Sequence, residues 1–148
     1  MHGRGFVARL SGSTAEFVHI WLLMNIGKNP FTVNAGGTLQ LAFKPALAGW
    51  LFTTKKTTAT IWDEQGGSKT VDLPKNTYAF NLFGTTLVVY HNPKRRNTYG
   101  TAKPAIKEIS LTYPKKEKPV ILSSESISGS YAQDVRNRKI ERIDVFFK

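Results

Sequence analysis

The chain has 148 residues, which is enough for one domain with a single hydrophobic core. An apolar fraction of 41% excludes a chain that is disordered overall, and the lack of cysteine excludes disulfides and thiolate-ligated metals. The formal net charge of +11 is the one compositional signal of a nucleic-acid partner.

Residues 1–10 are glycine-rich and carry no apolar core of a signal peptide. Together with the absence of cysteine, this predicts a cytoplasmic protein. The most apolar segment, residues 17–26, is interrupted by His19 and Asn25 and is too short to cross a bilayer, so no membrane partner is expected.

Residues 12–27, with the sequence GSTAEFVHIWLLMNIG, predict a helix. Ser13 and Glu16 have the spacing of a capping box at its start, and Gly27 is placed to end it. Eight large apolar side chains follow Glu16, and at about 100° per residue they point all around the axis. Such a helix requires burial on every side, and His19 is expected to be a buried core histidine. We therefore expect helices outside this sequence to cover it.

The remaining chain alternates short strand patterns with turns. The predicted strands, in order, are 38–43, 48–53, 57–63, 69–73, 77–84, 85–92, 106–113, 119–122 and 139–147, the last with a register shift near Arg142. Residues 123–130 are interpreted as a polar connection. Turns at intervals of roughly 8–12 residues predict a mainly β fold, an antiparallel β-sandwich that is jelly-roll-like.

No constellation of side chains predicts catalysis. The acidic residues lie mostly in turns or beside basic residues, and no carboxylate pair stands out. His2, His19 and His91 share no metal-ligand spacing. His91 is predicted to end a strand before Asn92 and Pro93, where a role in the turn is favoured over catalysis. The sequence therefore predicts no catalytic residues, no metal and no organic cofactor.

One segment has the composition of an anion site. Ser11, Gly12, Ser13 and Thr14 would lie at the helix N-terminus, where backbone N–H groups and the helix dipole favour an anion. Arg9 would add a charge-assisted hydrogen bond. The same residues also fit a plain N-cap without a ligand, and the sequence leaves both interpretations open.

Two binding functions remain as alternatives. In the first, Trp62 and Tyr99 are candidates for stacking on sugars, and the chain would be a free-standing carbohydrate-binding β-sandwich. Trp50 is instead assigned to the core. The second alternative is a basic nucleic-acid-binding domain, since eight basic and two acidic residues lie within 94–118. Because these cations lie in turns, solvated charge is the favoured interpretation.

Four segments carry a resemblance to a known family. They are GRGFVARLSGSTAEFVHIW, LQLAFKPALAGWLF, FNLFGTTLVVYHNPKR and DVRNRKIERIDVFF, at residues 3–21, 39–52, 80–95 and 134–147. Together they resemble the C-terminal end of cellobiose phosphorylase-like proteins, which form glycoside hydrolase family ninety-four, formerly glycosyltransferase family thirty-six.

The resemblance implies a division of the chain at residue 30. Residues 1–30 would be the last helix of a truncated (α/α)6 barrel, and residues 31–148 would be the C-terminal β-sandwich packed on that barrel. The partners would be the missing N-terminal and barrel domains of the parent chain and the parent's carbohydrate substrate. In isolation, the exposed helix would favour self-association.

The family's chemistry is the inverting phosphorolysis of a β-glucoside by inorganic phosphate. The catalytic acid would lie upstream, so this part of the enzyme would not be catalytic by itself. The family's Thr-Gly-Ser-Ala phosphate loop matches Ser11, Gly12 and Ser13, with Thr14 in place of Ala. The resemblance thus implies that Ser11, Gly12 and Ser13 contact phosphate, the co-substrate of the parent enzyme.

Overall fold

The computed structural model describes residues 4–62 and 66–148, with side chains from residue 12 onward in the first helix. The elements are α1 (Arg4–Asn25), β1 (Phe31–Val33), β2 (Leu39–Ala42), a 3₁₀ turn (Gly49–Leu51), β3 (Thr57–Trp62), β4 (Ser68–Leu73), β5 (Thr77–Leu82), β6 (Thr86–His91), β7 (Ile106–Thr112), β8 (Val120–Leu122), β9 (Ser126–Ser128), α2 (Ser130–Arg136) and β10 (Arg142–Phe147).

The first helix starts earlier than predicted. It begins at Arg4, so the predicted start at Ser13 is wrong and residues 11–14 lie inside α1. No proline precedes Ser13, and a helix interior tolerates Gly12 at a cost of about 1 kcal/mol relative to alanine. The predicted end is confirmed, because α1 stops at Asn25 and Gly27 has a φ of 100°.

Five strands form the main sheet, in the order β5–β6–β10–β7–β8. The fold is therefore mainly β and mostly antiparallel, as the sequence predicts. The exception is the pair β6 and β10, which is parallel. The last strand of the chain thus lies at the centre of the sheet. Its register shift falls between Phe146 and Phe147 rather than near Arg142.

The two faces of this sheet are covered differently. One face packs on the three-stranded sheet β1–β2–β9, on α2 and on the end of α1, and it forms the main core around Tyr90, Ile143 and Val145. The opposite face is partly covered by the β3–β4 hairpin, which contacts Leu87 and Val89. Alternation along each strand explains this division, because successive side chains point to opposite faces.

Residues 48–53 do not form the predicted buried strand. Gly49–Leu51 is a 3₁₀ turn, and Trp50 is 77% exposed rather than part of the core. The backbone N–H of Gly49 donates to Asn97 Oδ1 at 2.9 Å, so a loop side chain, rather than a neighbouring strand, satisfies this donor.

Two short elements lie where the sequence predicts only a polar connection and the approach to the last strand. They are β9, which contributes Ile127 to the core, and α2, which contributes Ala132 and Val135. A three-residue strand flanked by serines shows too little alternation to be recognised from sequence.

Candidate functional site

Most of α1 does not pack on the rest of the described chain. His19 is also exposed, so its assignment to the core is wrong. The exposed large apolar side chains of this helix, named here the α1 face, are Phe17, Val18, Ile20, Trp21, Leu22 and Met24.

The last turn of α1, by contrast, is anchored in the sandwich. Asn25 and Ile26 are buried, and Ile26 belongs to the main core. The Tyr90 hydroxyl donates to the Asn25 carbonyl at 2.6 Å, and the Ala46 backbone N–H donates to the Met24 carbonyl at 2.8 Å. Carbonyl groups at the helix end therefore receive donors from the sandwich. Burial raises the pKa of Tyr90 well above its ordinary value of 10.0, which keeps this hydroxyl a donor.

The predicted anion site does not lie at a helix terminus. Gly12 and Ser13 are exposed residues in the interior of α1, so the N-terminal dipole argument for them is wrong. The side chains of Arg9 and Ser11 lie outside the described part of the structure. The assignment of Ser11, Gly12 and Ser13 to phosphate by family resemblance stays a prediction.

A cleft of about 500 Å³ lies between the β3–β4 hairpin and the start of β10. Trp62 lines it and is 53% exposed, so the sequence interpretation of Trp62 as a surface aromatic is confirmed. Beside it, Lys69 Nζ and Glu141 Oε1 form an ion pair at 2.5 Å. Ser68, Thr85 and Arg138 complete the polar part of the lining.

A second cleft of about 560 Å³ adjoins the first and shares Arg138 with it. Its lining is mostly apolar and includes Phe31, Val33 and Phe83. The rings of Phe31 and Phe83 are stacked, with centroids 6.0 Å apart and an interplanar angle of 25°. We call the two joined clefts the Arg138 groove.

Backbone strain occurs in the walls of the Arg138 groove. Phe83 and Arg138 have φ values of 54° and 57°, a left-handed conformation that bulky residues rarely adopt. The Oγ1 atom of Thr85, which lines the first cleft, is buried and has no hydrogen-bond partner. Lys69, Phe83, Arg138 and Glu141 were not predicted from the sequence, because only the fold brings their three segments together.

The second candidate for sugar stacking lies elsewhere. Tyr99 is exposed, but it lines a separate cleft of about 620 Å³ together with Lys44, Lys103 and Glu125. The structure therefore does not bring Trp62 and Tyr99 together in one site.

An ion network occupies the face of the main sheet that carries the hairpin. Asp144 accepts from Arg142 through both carboxylate oxygens, and Oδ1 also lies 2.7 Å from His91 Nε2. His91 ends β6, which confirms its predicted place at the end of a strand, and its ring stacks on Phe146. Burial alone would raise the pKa of Asp144, but the hydrogen bonds from His91 and Arg142 outweigh it and hold that pKa below 3.8. Asp144 is thus held ionised, which suits a structural acceptor rather than a general acid.

Within residues 4–62 and 66–148, no group of three or more His, Asp or Glu side chains is placed to hold a metal ion. Neither helix is long and apolar enough, over its described residues, to span a membrane.

Comparison with protein-family models and with curated proteins finds no match to this chain. The likeness to cellobiose phosphorylase-like proteins therefore stays a prediction based on the four segments quoted above.

Proposed function

We propose that this chain acts as a non-catalytic accessory domain that packs against a helical body through the α1 face. The observation that carries the proposal is the exposure of six large apolar side chains on one helix whose last turn is firmly anchored. Burial of one such side chain contributes about 1.5–3 kcal/mol, so covering the face releases on the order of 10 kcal/mol before the costs of association.

The spread of these side chains indicates what kind of partner covers them. At about 100° per residue, the α1 face extends from Ile20 through Phe17 to Leu22, over about 200° of the helix circumference. A helix lying on one flat surface needs an apolar stripe about 100° wide. The wider face therefore favours at least two neighbouring elements, as in a helical bundle or barrel.

The family resemblance supplies an identity for that body. In a cellobiose phosphorylase-like enzyme, α1 would be the last helix of the (α/α)6 barrel and the β-sandwich would support the barrel from outside. The parent would carry out inverting phosphorolysis of a β-glucoside with an acid supplied by the barrel. Residues 11–13 would contribute to its phosphate site.

The first test is to sequence the DNA that precedes the codon for Met1. A reading frame that continues upstream into helical repeats supports the proposal, and the longer protein is then assayed for release of a sugar 1-phosphate. A stop codon and a ribosome-binding site directly upstream would contradict the identity of the parent enzyme, and the helical body would then have to be a partner subunit. Phosphorolysis by the present chain alone would also contradict the accessory role.

Within the longer protein, Ile20→Glu tests the docking surface directly. It is expected to weaken packing of the sandwich on the barrel, read as faster proteolysis between them. Ile121→Glu is the matched control, because Ile121 is exposed to a similar degree, 52% against 54% for Ile20, but lies on strand β8. Equal effects of the two substitutions would contradict a specific role for α1.

A further inference from the structure

We propose that the Arg138 groove binds a neutral saccharide chain, at a site separate from the α1 face. The groove combines two adjoining clefts of about 500 and 560 Å³, each within the size range of small-molecule sites. An exposed aromatic side chain stands in each cleft, Trp62 in the first and Phe83 in the second, and Arg138 lies in both.

The side chains of the groove have the chemistry that a sugar requires. A pyranose ring presents an apolar C–H face and a rim of hydroxyl groups that both donate and accept. The indole of Trp62 offers an apolar surface for the ring face. Lys69 and Arg138 are donors only and Glu141 is an acceptor only, so both hydrogen-bonding needs of a hydroxyl are met beside the indole.

The charge of the groove favours a neutral chain over a nucleic acid. In the first cleft, the charges of Glu141 and Lys69 cancel in an ion pair, so the net charge of the lining is that of Arg138 alone. A single-stranded nucleic acid combines stacking with a continuous positive track, and a carboxylate beside the indole interrupts such a track. The highly basic segment 94–118 contributes no residue to the first cleft apart from Pro114.

The test is calorimetric titration of the full chain with cellohexaose, xylohexaose, mannohexaose and maltohexaose. We expect saturable binding of at least one, weakened about tenfold or more by Trp62→Ala, because the stacking surface is lost. Trp50→Ala is the matched control and is expected to leave the affinity unchanged, since Trp50 is exposed but lies outside the groove. Circular dichroism verifies that both variants are folded.

A second pair of variants avoids dependence on the tryptophan. Arg138→Gly removes the side chain common to both clefts and suits a φ of 57°, so the fold is retained while the affinity falls. Arg95→Gly is its control, because Arg95 has a φ of 47° and lies in neither cleft.

Three results would overturn the proposal: no binding of any of the four hexaoses, binding that is as strong in Trp62→Ala and Arg138→Gly as in the wild type, or salt-sensitive binding of single-stranded oligothymidylate in preference to the sugars. None of these bears on packing through α1, so the two proposals fail independently.

Discussion

Two apolar segments of this chain, α1 and β10, differ in how far the chain buries their side chains. In β10, Ile143 and Val145 are fully buried, because β6 and β7 flank the strand and the main core covers one face. In α1, Ile20 is 54% exposed although it lies in a segment that is also rich in apolar residues. The comparison shows that placement in the topology, rather than apolar content, decides which segment the chain can bury by itself.

The difference also separates two kinds of stability. The sandwich closes its own core around β10, whereas the first helix meets that core only near its C-terminal end, through the ring contact of Trp21 with Phe80 and through Ile26 just after α1. The rest of α1 is expected to gain its stability from a partner, because apolar helices in proteins are stabilised mainly by tertiary packing.

The largest expected effect comes from truncating matched isoleucines in the two segments. Ile143→Ala leaves a cavity in the core and is expected to lower the free energy of unfolding by about 3 kcal/mol. Ile20→Ala is expected to change it by less than about 0.5 kcal/mol, because the side chain is exposed. Urea denaturation of both variants, at concentrations where the chain is monomeric, measures the difference. A large loss in Ile20→Ala would mean that α1 is already covered within the monomer.

The next effect concerns the Asp144 network on β10. Asp144→Asn is expected to cost about 2 kcal/mol at neutral pH, because Arg142 and His91 lose a charged acceptor. The pKa of Asp144 is lowered from 3.8 in the folded state, so its ionised form stabilises the fold above the unfolded-state pKa. This contribution is expected to be lost as the pH falls through the folded-state value.

The measurement is urea denaturation of wild type and Asp144→Asn at neutral pH and in acid. The gap between the two proteins should narrow as the pH falls below about 4. A gap that stays constant over this range would show that the carboxylate charge contributes nothing.

A smaller effect is expected at the junction of the two regions. Tyr90→Phe removes the donor to the Asn25 carbonyl, which is expected to cost about 1 kcal/mol. Hydrogen exchange should accelerate in the last turn of α1 more than in β10. Equal acceleration in both elements would show that the hydroxyl stabilises the whole core rather than the anchoring of α1.

The smallest expected effect is a gain. Residue 12 lies in the interior of α1, and a Cβ added by Gly12→Ala would have no neighbouring atom within 4 Å. The free energy of unfolding should therefore rise by about 0.5 kcal/mol, as measured by thermal denaturation. Gly37→Ala is the contrasting variant, since Gly37 also has free space but a φ of 74°, where alanine is strained. A loss of stability in Gly12→Ala would indicate that residue 12 is not helical.

Much of the sheet could be predicted from the sequence, because alternation and turn residues are local signals. The strands that form the hairpins β3–β4 and β5–β6 and the pair β7–β8 occur where strands were predicted. The parallel pairing of β10 with β6 could not be read from local patterns, since it depends on which edge of the sheet remains open after the hairpins form.

Of the residues that line the Arg138 groove, only Trp62 was predicted from the sequence as a candidate binding residue. Lys69, Phe83 and Glu141 come from separate strands or turns and share no spacing that marks them. The exposure of Trp50 was missed for a related reason, because an asparagine in a distant loop satisfies the Gly49 backbone donor that a neighbouring strand would otherwise bind. Contacts between remote segments therefore decide both the site and the exceptions to the predicted core.

The most direct test of the α1 face as a docking surface is sedimentation velocity of the isolated chain over a range of concentrations. The account predicts concentration-dependent self-association that Ile20→Glu abolishes and Ile121→Glu preserves. A chain that stays monomeric at every concentration, or associates equally in both variants, would contradict it.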